Sequence, residues 1–135
     1  MDVNTDLGGQ AHLLFNYGLA TPKFEEGTLD GKTPRFVPKH NVNLWLRKDF
    51  ASGINAGFGL RYLAEQYGDN DNTQLLDDYT IFSGAIGYRT PRWEWSLNAE
   101  NLFNNDDYFL PGHFGNNAFP GQPINVTTTV RLKWN

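Results

Sequence analysis

The stretch Ile124-Asn125-Val126-Thr127-Thr128-Thr129-Val130-Arg131-Leu132-Lys133-Trp134 alternates with a period of two. Ile124, Val126, Thr128, Val130, Leu132 and Trp134 fall on one face, and Asn125, Thr127, Thr129, Arg131 and Lys133 on the other. Successive side chains of an extended chain point to opposite faces, so the pattern specifies a strand with one apolar side and one polar side.

Working outward, the same rule recurs. Ile54, Ala56, Phe58, Leu60 and Tyr62 oppose Asn55, Gly57, Gly59 and Arg61, while Trp93, Trp95, Leu97 and Ala99 oppose Glu94, Ser96, Asn98 and Glu100. Val42, Leu44 and Leu46 oppose Asn41, Asn43 and Arg47, with Trp45 as an exception on the polar side. Phe82, Ile86 and Tyr88 share a face with Gly84, and Leu13, Phe15, Tyr17 and Leu19 share one between Ala11 and Ala20. The pattern predicts about six antiparallel strands, each near the roughly 9 to 11 residues that a tilted membrane strand requires.

The connections alternate in length. Short turns are expected at 49–53 and 90–92, and long segments at 21–38, 68–77 and 104–122. Long structureless loops are uncommon in compact domains, whereas membrane barrels pair short periplasmic turns with long extracellular loops. Counting inward from residue 135 puts the short turns and the N-terminus on the periplasmic side and all three long loops outside. Trp134, Tyr88, Trp93 and Trp95 then form one rim, and Tyr17, Tyr62, Tyr67, Phe103 and Tyr108 the other, where amphipathic rings meet lipid headgroups. The expected fold class is all-β: an antiparallel transmembrane β-barrel segment, open and curved, from a larger barrel. A soluble β-sandwich with a carbohydrate-binding aromatic platform is the competing reading. A single curved sheet with a bare apolar face distinguishes the two.

Composition narrows the function. The absence of cysteine removes disulfide frameworks, thiolate metal sites and cysteine nucleophiles. A net charge of −4, with scattered Lys and Arg, argues against a nucleic-acid partner. No run approaches the roughly 18 apolar residues of a membrane-spanning helix. Met1 to Gly8 has neither the basic region nor the apolar core of a signal peptide.

Several motifs resemble one family. Val37-Pro38-Lys39-His40-Asn41-Val42-Asn43-Leu44-Trp45 is similar to the proline-histidine lead-in to a strand of TonB-dependent siderophore receptors. Gly57-Phe58-Gly59-Leu60-Arg61-Tyr62, Asp71-Asn72-Thr73 and Leu76-Asp77-Asp78-Tyr79-Thr80 follow in the family's order. Trp95 through Asn104, with Asp107-Tyr108-Phe109, resembles its asparagine-leucine-phenylalanine strand end, and Pro120-Gly121-Gln122-Pro123 leads into the closing strand. The sequence departs from the family at Ser83, where Asp is usual, at Ile124, where Arg is common, and at Asn135, where a terminal aromatic is usual.

The resemblance implies a barrel of about 22 strands plugged by an N-terminal domain. Residues 1–135 would then be the C-terminal portion, lacking plug and signal peptide. It implies uptake of ferric siderophores across the cell outer membrane, with lipid, the remaining barrel strands and, through the missing plug, the TonB complex as partners. Cobalamin, haem or an oligosaccharide is the alternative cargo. Siderophores in this family bind near aromatics at the extracellular mouth, and Tyr67, His113, Phe114 and Phe119 are the positions available for that role.

No catalytic chemistry is expected. His12, His40 and His113 lie on different elements, so a metal triad is not expected. The oxygen-rich run Asp69 to Asp78 fails the EF-hand pattern at Gln74 and Thr80, and reads as a solvated loop. Glu94 and Glu100 are separated by roughly 20 Å along a strand, too far for a glycosidase pair. No cofactor is implied, and the reading is of a transport protein and not of an enzyme.

Overall fold

The computed structural model describes residues 1–106, 108–111 and 118–134. Its main feature is one antiparallel sheet in which seven strands pair successively. These are β1 (Asp2–Gly8), β2 (Ala11–Leu19), β3 (His40–Asp49), β4 (Ile54–Leu63), β7 (Tyr79–Arg89), β8 (Trp93–Glu100) and β11 (Asn125–Leu132). Two short hairpins, β5 (Gln66–Tyr67) with β6 (Leu75–Leu76) and β9 (Phe109–Pro111) with β10 (Ala118–Pro120), interrupt the longer connections.

Register carries the apolar stripe of each strand onto its neighbour. Phe15 lies opposite Leu44, Leu44 opposite Leu60, and Leu60 opposite Phe82. Ile86 faces Ala56 and Leu97, and Trp95 continues to Val130. One apolar face therefore runs unbroken from Val3 to Val130. Leu102 and Phe103 touch it at Gly84 and Phe82, but no second layer of described residues covers it: Phe58 is 45% exposed, Ile86 45% and Val126 56%. An exposed apolar surface of this extent marks a membrane or interaction face. The β-sandwich alternative fails here, because among the described residues no second sheet covers the apolar side.

The other face is concave. A single groove of about 820 Å³ touches residues from all seven strands, which a flat sheet does not permit. Apart from the strand glycines Gly59 and Gly87, burial lies at the end with the long connections, where Ala64, Leu76, Tyr79 and Tyr108 are the buried apolar residues among those described, and Gln66, Asp69 and Asn101 the buried polar ones.

The sheet has one strand more than the sequence pattern predicts. β1 offers only Val3, Thr5 and Leu7 as its apolar stripe, too weak to read alone, and its pairing with β2 supplies the rest, with Val3 opposite Phe15 and Thr5 opposite Leu13. The β1–β2 turn passes through Gly8, Gly9 and Gln10, all with positive φ. This extra strand also reverses the expected position of the N-terminus. Met1 exchanges hydrogen bonds with Tyr17 and so sits at the long-connection end, while the 8–11 turn joins the two short turns at the other end.

Trp45, the exception to alternation, has a physical cause. Its indole lies flat on the concave face across Gly57 and Gly59 of the next strand. A β-carbon at either glycine would fall 2.5 Å from the ring. An aromatic laid over glycines restores the packing that the missing side chains forgo. Gly59→Val is therefore expected to weaken the sheet by about 1–3 kcal/mol through overpacking. In a Trp45→Ala background the same change is expected to cost under about 0.5 kcal/mol, read from urea unfolding.

Candidate functional site at the long-connection end

The connection between β2 and β3 and the one between β4 and β7 stand side by side on the end of β3. Ala20 N–H donates to the Lys39 carbonyl at 3.1 Å, and Ala64 N–H to the His40 carbonyl at 2.9 Å, so both are rooted at adjacent residues. His40 is itself fixed, with its Nδ1 2.9 Å from the Tyr17 hydroxyl and the two rings stacked.

Above that root the two connections share a hydrogen-bond lattice. Phe36 N–H donates to the Tyr67 carbonyl at 2.7 Å, and Arg35 N–H to Asn70 Oδ1 at 3.0 Å. Asn72 clamps Thr33 from both sides, its Oδ1 accepting from Thr33 N–H at 2.8 Å and its Nδ2 donating to the Thr33 carbonyl at 2.7 Å. Lys32 Nζ lies 3.3 Å from Asp71 Oδ1. Asn72 reaches this position with a φ of 57°, a left-handed conformation that Asn tolerates better than most residues.

Asp69 holds that turn in shape. Its Oδ1 accepts from the N–H groups of Thr73 and Gln74, and its Oδ2 from the Thr73 hydroxyl. The Thr73 hydroxyl above all, with these backbone donors, keeps the Asp69 carboxyl below its usual range in spite of desolvation. The expectation of a solvated loop holds for Asp71, Asp77 and Asp78, which are exposed, and fails at Asp69. Asp69 is 4% exposed, and the Asn70 and Asn72 amides bind the backbone of Arg35 and Thr33. Among the described residues, no group of three His, Cys, Asp or Glu side chains is arranged to hold a metal.

The third connection is tied down by Asn101 and Tyr108. Asn101, with φ of 53°, donates from Nδ2 to the Asn105 and Gln122 carbonyls and accepts from Asn105 N–H. Tyr108 packs 4.6 Å from Tyr79, ring to ring, and its hydroxyl accepts from Gln122 N–H at 2.9 Å. Tyr108 is buried, so it is not the rim aromatic expected from the sequence. Its ring lies against Gly121 so closely that a β-carbon there would meet it at 2.0 Å.

Below these connections the groove presents mixed chemistry. Arg61 and Glu100 supply charge, Asn43 and Asn16 amides, and Tyr79 and Trp45 rings. At the short-turn end, the concave face carries a cross-strand ion network. Glu94 meets Arg89 Nε at 3.0 Å, Lys133 Nζ at 2.7 Å and Arg131 Nη1 at 3.5 Å. Such exposed pairs contribute little energy each. Here they join three strand ends and favour one register.

Of the four aromatic positions expected to meet a ligand, two are described. Tyr67 is half-buried in β5 and gives its carbonyl to the lattice; Phe119 is 56% exposed in β10, opposite Leu110. Both stand at the long-connection end, outside the lining of the groove. His113 and Phe114 lie outside the described residues. Sequence reasoning missed the Asn72–Thr33 clamp and the Tyr108–Gly121 contact. The Asp-Asn run and the Pro-Gly-Gln-Pro motif were the available signals.

Comparison with known proteins gives this architecture a family. The family described as TonB dependent receptor-like, beta-barrel matches residues 3–102. The ferrioxamine receptor of Yersinia enterocolitica is 26% identical over 99 residues, covering 72% of this chain and 14% of that protein. The ferric-pyoverdine M114 receptor of Pseudomonas sp. strain M114 is 28% identical over 144 aligned positions, covering 96% of this chain and 17% of that protein. The chain therefore spans about a sixth of the length of these relatives. The crystal structure of the ferric-catecholate import receptor Fiu from K12 E. coli, in its closed form, matches with a TM-score of 0.77 at 22% identity, over 97% of this chain and 20% of that one. At that identity the structural likeness is one of fold. The family match over most of the sheet, joined to the single curved sheet it predicts, places this chain in the TonB-dependent receptor β-barrel family.

Proposed function

We propose that this chain forms wall and outer mouth of a receptor that takes up ferric siderophores across the outer membrane of a Gram-negative-type cell. The observation that carries the reading is the apolar face running across seven strands with no second layer of described residues over it, opposite a polar concave face. Lipid is the solvent that suits the first face and an aqueous lumen the second. The names of the matched relatives, a ferrioxamine and a ferric-pyoverdine receptor, support the cargo.

Among the described residues β1 and β11 each have one unpaired edge. Unpaired backbone groups in hydrocarbon cost several kcal/mol each, and the smallest closed bacterial barrels have about eight strands. On this reading residues 1–135 are a C-terminal part of a larger barrel, and further strands pair with both edges. The plug, and through it the TonB complex, belong to the rest of that receptor. The long connections face outside. Tyr67 and Phe119, with His113 and Phe114, are the aromatics and imidazole that meet the ligand at the mouth. The role is transport and not catalysis.

The test is uptake by cells whose only siderophore receptor is the intact protein carrying this chain. Iron-55 complexes of hydroxamate, catecholate and citrate type are supplied, with cobalamin and haem in parallel. Saturable uptake of at least one ferric siderophore, absent from cells lacking the TonB complex, is expected. Uptake of cobalamin or haem alone would overturn the cargo, and a monodisperse detergent-free protein would overturn the membrane placement.

A further inference from the structure

Residues 32–36 and 67–72 run past each other like two strands of a ladder, although they are 35 to 39 residues apart in sequence where their side chains meet backbone. In this ladder one partner is mostly side chain. Asn70 and Asn72 present amide oxygens to the Arg35 and Thr33 N–H groups, and only the Phe36–Tyr67 bond is backbone to backbone. Separating the connections would strand these part-buried donors and acceptors together. Tilting them jointly about their common root at Lys39 and His40 would leave the whole lattice intact.

We infer that the β2–β3 and β4–β7 connections form a single cooperative body that holds or opens as one unit, with Asp69 as its positioning residue. That this body lines the outer mouth rests on the function proposed above. Asp69 makes no hydrogen bond to the β2–β3 connection. It acts through the turn, where its carboxylate gathers Thr73 and Gln74 and its carbonyl accepts from Asn72 N–H and Nδ2. This geometry aims Asn70, Asp71 and Asn72 at residues 32–35. Within the first connection, Phe24 N–H donates to the Lys32 carbonyl and Gly31 N–H to the Phe24 carbonyl, so loosening at residue 33 reaches amides that the second connection never touches.

Amide hydrogen exchange of the intact, ligand-free receptor tests this. Asn72→Gly keeps the left-handed backbone and the Asp69 side-chain bonds, and removes the clamp together with the Nδ2 bond to the Asp69 carbonyl. Exchange is expected to rise at least tenfold at Phe24, Gly31 and Phe36 as well as at Thr33, while Thr73 and Gln74 stay protected. Asp69→Asn is expected to raise exchange at Thr73 and Gln74 and, by a similar factor, at Thr33, Arg35 and Phe36. Changes confined to Thr33 in the first variant, or to 73–74 in the second, would overturn the inference. The measurement needs no cargo, so it can fail while the uptake reading stands, and the reverse.

Discussion

Replacing Phe58 with Arg is expected to destabilise the folded receptor in lipid by about 2–4 kcal/mol, the cost of placing a guanidinium at the middle of a barrel's apolar band. Phe58 sits at the centre of β4, opposite Leu46 on one side and Gly84 on the other, and nearly half of it is exposed. Part of its value is local. Its ring stacks 5.9 Å from Phe82, which in turn meets Phe103 edge-on at 5.1 Å. Aromatic pairs are worth about 0.5–1.5 kcal/mol beyond their area, so Phe58→Leu isolates that share. Asn98→Arg supplies the control, because Asn98 lies on the concave face opposite Ala85 and Thr127 and is exposed. An exposed polar position tolerates change within about 0.5 kcal/mol. Urea unfolding in lipid vesicles reads all three. Equal losses from the two arginines would mean that the two faces see the same solvent, and the membrane assignment would fall.

The same two-faced logic explains which elements could be read from sequence. β4 and β11 alternate without error because each strand separates lipid from lumen with no third environment. β1 could not be read, since Thr5 occupies the centre of its apolar stripe and only the partner Leu13 makes that position apolar in context. Trp45 looked like an error of pattern for a related reason: what places it on the wet face is a glycine pair 12 and 14 residues later, on another strand. The hairpins β5–β6 and β9–β10 have two or three residues per strand, too few for any period to register.

The loop chemistry was legible as composition and illegible as geometry. Asp69, Asn70, Asp71 and Asn72 are the residues a solvated loop would use, and equally those that can satisfy a neighbouring backbone. The partner that decides between the two lies in the preceding long connection, at Thr33 and Arg35, where no local pattern points to it. Aromatic type alone likewise could not separate the half-buried Tyr67 from the exposed Phe119, or either from the buried Tyr108.

Gly121→Val is expected to be the second severe substitution, and its cause is steric. The Tyr108 ring approaches the site of a residue 121 β-carbon at 2.0, 2.2 and 2.4 Å, so ring and backbone would have to part by more than 1 Å. That separation would break the bond from Gly121 N–H to the Tyr108 carbonyl and both bonds between the Tyr108 hydroxyl and Gln122. Overpacking costs about 1–3 kcal/mol, and a buried polar group left without its partner about 1–3 more. The combined loss, about 2–6 kcal/mol, would fall on the segment that delivers the chain into β11, which among the described residues pairs with β8 alone. Tyr108→Phe, which keeps the ring and removes the hydroxyl, is expected to cost only about 1 kcal/mol, because Asn101 still donates to the Gln122 carbonyl. The decisive comparison is a double-mutant cycle with the milder Gly121→Ala. In a Tyr108→Ala background the added methyl meets no ring, and its cost should fall below about 0.5 kcal/mol. If Gly121→Ala costs the same with and without the tyrosine ring, the glycine is required for some other reason and the clamp does not hold the strand.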